Sequence, residues 1–83
     1  MSIETIITSA GRRSMTVQIQ VESSQGLLEF LEIEPYSRKQ RGSSNLLFCL
    51  DVKSREYKNI DLARIRNAEM TRSLFKPRFP VDF

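Results

Sequence analysis

The chemistry open to this chain is narrowed first by the side chains it lacks. The sequence contains no histidine, which removes the commonest general base and metal ligand. Its one cysteine, Cys49, lies inside the apolar run Asn45-Leu46-Leu47-Phe48-Cys49-Leu50-Asp51. Apolar flanks deny a thiol the cationic neighbour and the exposure that make it nucleophilic, and a lone cysteine forms no internal disulfide. A reduced, cytoplasmic protein is the simplest expectation. No Cys-X-X-Cys pair and no glycine-rich phosphate loop is present. Glu32 and Glu34 stand two apart and so share one strand face, where carboxylates ordinarily meet water. No constellation for catalysis emerges, so the expectation is a non-enzyme with no cofactor and no metal.

What remains is chemistry of binding. Arg12 and Arg13 are adjacent, and Arg38, Lys39 and Arg41 fall in the polar stretch Ser37–Gly42, read as a loop after Pro35. Cations so grouped contact phosphates with salt-dependent affinity; a solvated loop is the plainer alternative. Tyr36 or Tyr57 offers a ring on which a base stacks, although Tyr36, following proline, equally suits a plug at a barrel end. The formal charge is +3 and the isoelectric point near 9.4. That balance is compatible with nucleic acid without demanding it. From Leu74 to Phe83 the chain combines Phe75, Phe79 and Phe83 with Pro77 and Pro80. The prolines forbid a helix, which leaves an extended strap over the domain or a hook for a partner protein.

The elements that must position these groups follow from periodicity. Ile3, Ile6, Ile7 and Ala10 make one helical stripe over residues 2–10, with Ser2 able to cap its start and Gly11 its end. So short a helix must dock to persist, the sheet of its own domain being the nearest support. Met15, Val17, Ile19 and Val21 alternate with polar residues as a half-buried strand does. In Leu27–Glu34 the phase changes: Leu28 and Phe30 share one face, Leu31 and Ile33 the other. A bulge near Phe30, or burial of both faces, would reconcile them. Pro35 is expected to end that strand. The run Asn45–Asp51 reads as a strand covered on both sides and central in the sheet. Tyr57–Leu62 has Lys58, Ile60 and Leu62 on one face; a tight turn at Ala63-Arg64-Ile65 and a strand over Arg66–Thr71 complete the set. One helix and about five short antiparallel strands point to a small SH3-like or Sm-like barrel over residues 1–73, with 74–83 as a tail. No window is long and apolar enough to span a membrane, and no signal peptide is evident.

The order of motifs resembles a WYL domain: a short helix, Gly11-Arg12-Arg13, an alternating strand, Ile33-Glu34-Pro35-Tyr36, Gly42 and the apolar strand to Asp51, Leu62-Ala63-Arg64-Ile65, then Phe75-Lys76-Pro77-Arg78-Phe79-Pro80-Val81. The resemblance implies an Sm-like barrel behind a helix, and a setting in transcription control, phage defence or CRISPR systems. It also implies a nucleotide or single-stranded nucleic-acid ligand held near Lys58 and Arg64. Departures are evident. The tripeptide that names the family falls on Asn45-Leu46-Leu47, where only a leucine agrees, and an expected arginine falls at Leu31. Lys58 stands for another arginine, keeping charge but losing the bidentate fork. Arg64 has a plainer role in pairing with Asp61 or Asp51. With no DNA-binding segment ahead of Met1, a free-standing or accessory version is implied. The sequence therefore predicts a regulatory module for nucleic acid or a nucleotide. The alternative is an adaptor that docks on a larger complex, or self-associates, through its tail or an edge strand.

Overall fold

The computed structural model describes residues 2–83. Helix α1 (Ile3–Arg12) is followed by β1 (Met15–Glu22), β2 (Leu28–Arg41), β3 (Ser44–Asp51), β4 (Glu56–Asp61), a single 3-10 turn (Leu62–Arg64) and β5 (Ile65–Leu74). The strands form one antiparallel sheet in the order β4-β3-β2-β1-β5. The molecule is thus mainly β with one N-terminal helix, as the sequence predicts.

β2 is the pivot. Its first half pairs with β1, from Leu28 opposite Glu22 to Ile33 opposite Val17. Its second half pairs with β3, from Ile33 opposite Asp51 to Arg41 opposite Ser44. One fourteen-residue strand therefore serves both halves of a curled, barrel-like sheet. This corrects two expectations. The run Asn45–Asp51 is not the central strand but lies one in from the β4 edge. Pro35 does not end its strand, and Ser37–Arg41 is not a loop. The register slips between Pro35 and Ser37, so a bulge at Tyr36 breaks the ladder just where proline supplies no donor. The hairpin then turns at Gly42, whose φ of 61° is in the left-handed region.

No bulge occurs near Phe30. The register is unbroken from Leu28 to Ile33, so simple alternation leaves Leu28 and Phe30 on the outer face, with Phe30 78% exposed. Neither explanation offered for the phase change holds.

The core gathers Ile7 and Ala10 from α1 with Val17, Ile19, Ile33, Leu47, Cys49 and Ile60 from the strands. α1 starts at Ser2, whose hydroxyl accepts from the Thr5 amide at 3.1 Å, and packs against β1, β2 and β5. Gly11 does not close the helix: it lies within it, and the chain turns at Arg13 and Ser14 (φ 55°). Gly11 serves a different purpose, because a methyl group there would overlap the ring of Phe83. β5 runs on to Leu74, and the segment from Phe75 folds back over the barrel. The Phe75 amide donates to the Ser14 carbonyl at 2.8 Å and the Asp82 amide to the Tyr36 carbonyl at 2.8 Å. A parallel bridge joins Asp82 to Ser37, and the Arg12 Nε donates to the Phe83 carbonyl at 3.2 Å. Among the described residues no helix is long and apolar enough to cross a membrane.

Candidate ligand-binding face

Because Ser37–Arg41 is strand, its cations are divided by alternation. Arg38 points to the helix side, where its guanidinium meets Glu4 at 2.7 Å. There it lines a cleft of about 330 Å³ with Arg12 and the polar face of α1. Lys39 and Arg41 face the other way. Across the sheet Lys39 lies opposite Leu46, Ser37 opposite Phe48, and Arg41 opposite Ser44. The next strand adds Asp61 opposite Leu46, Asn59 opposite Phe48 and Tyr57 opposite Leu50. The outer face of β2, β3 and β4 thus carries Phe48 and Tyr57 with Lys39 next to Phe48, and Arg41 further along towards the hairpin.

The rings on this face form one cluster. Tyr57 stacks on Phe48 at 5.7 Å between centroids, 15° from parallel. Phe79 comes down edge-on from the tail, 5.1 Å from Tyr57, 5.8 Å from Phe48 and 5.9 Å from Tyr36. Phe75 meets Tyr36 edge-on at 5.6 Å. The Lys39 ammonium lies 5.6 Å from the centre of the Phe48 ring, within range of a cation–π attraction. Tyr57 and Phe79 are each 44% exposed.

Tyr36 is the floor of this cluster rather than an open stacking surface, being wholly buried under the tail. Its hydroxyl donates to the Glu34 carboxylate at 2.6 Å and accepts from the Arg78 amide at 3.2 Å. Burial, reinforced by the bond to Glu34, pushes that hydroxyl up to about 12, so it stays a donor at neutral pH. Arg78 adds its own guanidinium 3.7 Å from Glu34. The structure covers this tyrosine with the tail, through Phe75, Phe79 and the Arg78 amide.

Lys58 lies on the other side of β4 and is engaged: its ammonium meets Asp51 at 3.0 Å. Burial alone would push the Asp51 carboxyl up. The Lys58 hydrogen bond and the amides of Ser54 and Lys53 outweigh it, and the group is held below the usual carboxylate range. The bond to Asp51 likewise raises Lys58 above an ordinary lysine despite partial burial. Arg64 is exposed on the 3-10 turn and enters no ion pair among the described residues. Neither Asp61 nor Asp51 takes it; Asp61 caps the turn by accepting from the Ala63 amide at 3.0 Å. Arg13 is exposed at the helix end. Cys49 is buried, its thiol pushed up to about 12 chiefly by desolvation, and no cluster of metal-ligating side chains occurs among the described residues.

The eight candidate ligand contacts therefore divide. Arg12 and Arg38 share the cleft beside α1, Lys39 and Arg41 share the aromatic face, and Lys58 is paired to Asp51. Phe75 and Phe79 lie on the aromatic cluster, and Phe83 packs against the core and Gly11. Sequence reasoning missed Phe48, whose ring joins Lys39 to the cluster. The signal was available in its alternation with Leu47 and Cys49, which sends it to the opposite face.

No family model matches the chain, and no curated protein matches it. Among solved structures its fold is similar to proteasome accessory factor B/C (PafBC) of Arthrobacter aurescens, with a TM-score of 0.80 at 16% identity. The match covers 94% of this chain and 13% of that one. At that identity the likeness is one of fold, with a small part of a much longer protein.

Proposed function

We propose that the chain is a non-enzymatic regulatory or accessory module that binds single-stranded nucleic acid or a nucleotide-type ligand on the outer face of β2, β3 and β4. The observation that carries this reading is the half-exposed ring of Tyr57, stacked on Phe48, with Lys39 at the ring face and Arg41 two residues further along the same strand face. Rings that take a base, next to cations that take the phosphates, are the working parts of sequence-tolerant single-strand binding. The fold likeness to a part of PafBC and the WYL-like order of motifs are both consistent with a regulatory module. The settings implied by the resemblance, in transcription control and in phage or CRISPR defence, belong to this proposal.

Single-stranded RNA and DNA titrated against the protein over a salt series test it. The Lys39→Ala/Arg41→Ala pair is expected to weaken binding roughly tenfold at low salt. Two lost contacts should also flatten the salt slope by about 1.4, at ~0.7 per phosphate contact on a single strand. Equal affinity and slope in the variant would remove this face from consideration. Lys58→Ala is expected to leave affinity unchanged, because Lys58 lies on the other side of β4 and is held by Asp51.

A second reading, an adaptor that docks on another protein or on its own copy, is favoured by a different surface. Leu27, Leu28 and Phe30 are exposed at the β1–β2 hairpin, and clustered apolar exposure of this kind marks interaction sites. The two patches lie at opposite ends of β2, so the readings are separable by mutation.

A further inference from the structure

The tail places an aromatic ring on the very platform assigned to the ligand. Phe79 lies edge-on to Tyr57, Phe48 and Tyr36, and nearly half of it remains in water. The segment carrying it is pinned on either side. At one end the Phe75 amide bonds Ser14; at the other, Phe83 lies in the space left by Gly11, with its carbonyl held by Arg12. Between these pins the tail's polar contacts with the barrel come from Arg78 and Asp82: the Arg78 amide to the Tyr36 hydroxyl and its guanidinium to Glu34, and the Asp82 amide to the Tyr36 carbonyl beside the bridge to Ser37. A short strap fixed at both ends, with one loosely held ring in its middle, can lift that ring without unfolding the barrel.

We propose that Phe79 occupies a nucleobase slot formed by Tyr57 and Phe48 over Tyr36, and that tail and ligand compete for it. The inference rests on the reading of this face as a ligand site and adds the identity of the slot and its regulation. Three observations support it. Phe79 meets Tyr57 and Phe48 edge-on on the sheet's outer face, an aromatic contact that a planar base in the same place can also make. Lys39 stands beside Phe48 and Arg41 continues along the strand, so a base in the slot would have cations for its phosphate. The tail carries Lys76 and Arg78 just ahead of the ring, and the pins on the strap keep both cations close to this face when Phe79 lifts.

Competition of this kind lowers apparent affinity by the fraction of molecules whose slot is open. Phe79→Ala is therefore expected to tighten binding of a fluorescent oligothymidylate or oligouridylate by about three- to tenfold, as removal of one edge-on aromatic set would allow. Lys39→Ala in that background should reverse most of the gain. In the wild-type protein, saturating oligonucleotide should speed hydrogen exchange at the Arg78 and Asp82 amides, whose acceptors both belong to Tyr36. Circular dichroism and thermal unfolding establish that Phe79→Ala is folded; should it not be, Phe79→Leu and the wild-type exchange measurement carry the test. Unchanged or weaker binding by a folded Phe79 variant, with measurable wild-type binding, overturns the competition and leaves the ligand face standing. Slower exchange at Arg78 and Asp82 with ligand does the same. No binding by wild type and variant alike overturns both.

Discussion

Asp51 illustrates how a single side chain is fixed by several partners at once. It is nearly buried, accepts from the Lys53 and Ser54 amides at the β3–β4 turn, and faces the Lys58 ammonium. The turn and the ion pair reinforce each other, since the same carboxylate closes both. Lys58 is about one-third exposed, so the pair is screened and lies below the cost of breaking a fully buried one. Lys58→Ala is expected to lower unfolding free energy by about 1–2 kcal/mol, the scale of a charged hydrogen bond lost from a partly covered carboxylate. The pH dependence has a definite shape. Asp51 is depressed, so its share of the stability is whole above the ordinary carboxylate value of about 3.9 and is lost as pH falls through the folded value. Lys58 is raised, so its share is whole below about 10.4 and is lost as pH rises through the folded value. The gap in stability between wild type and Lys58→Ala should thus be flat through neutral pH and close at both ends. Urea unfolding at pH 2.5, 7 and 11 measures it; a gap unchanged at pH 2.5 would mean that Asp51 is not the partner that matters.

At the scale of the element, β2 carries both the gains and the failures of sequence reading. Alternation in Met15–Val21 and in Tyr57–Asp61 is strict, so those strands and their buried faces are legible. The stripe of α1 is legible for the same reason. β2 is not, because each local signal in its second half favours an irregular segment: a proline, then three cations, then glycine. What overrides them is pairing with the apolar β3 along eight positions, with one bulge absorbing Pro35. Reading those residues as a loop left Lys39 and Arg41 without a face, and so hid their approach to Phe48. The first half fails differently. Size and apolarity predict cover for Phe30, yet the backbone alternation makes no exception for it and leaves it exposed. Its neighbours across the sheet, Gln20 and then Asn67, are polar, as an outer face should be. Phe30→Thr should therefore leave thermal unfolding almost unchanged, within about 0.5 kcal/mol. If the hairpin is a docking surface, the same change should abolish any concentration-dependent oligomer seen by light scattering. A large loss of stability in Phe30→Thr would show the ring to be structural and remove the motive for the adaptor reading.

For the whole molecule the question is whether residues 79–83 belong to the barrel or serve something outside it. A chain of 83 residues hides only about 60–65% of its unfolded surface, so a strap that adds two aromatic contacts matters to its stability. Phe79 covers Tyr36, a buried ring with a buried hydroxyl network; Phe83 packs on the core where Gly11 lacks a side chain. The Asp82 bridge to Ser37 secures β2 just past its bulge, the one break in the longest strand's ladder to β3. Removing residues 79–83 should then cost about 2–3 kcal/mol, less than a fully buried phenylalanine because both rings are partly exposed. At ~4–8 °C per kcal/mol for a domain of this size, the midpoint should fall by roughly 10–20 °C. Calorimetry of the truncated chain decides between the two roles. A midpoint that stays within about 2 °C would mean that the tail rests on the barrel without supporting it, and would mark its phenylalanines as anchors for a partner protein. A fall of the expected size makes the tail part of the fold. In that case the proposed competition at the aromatic face is one of local lifting at Phe79, with Phe75 and Phe83 remaining in place.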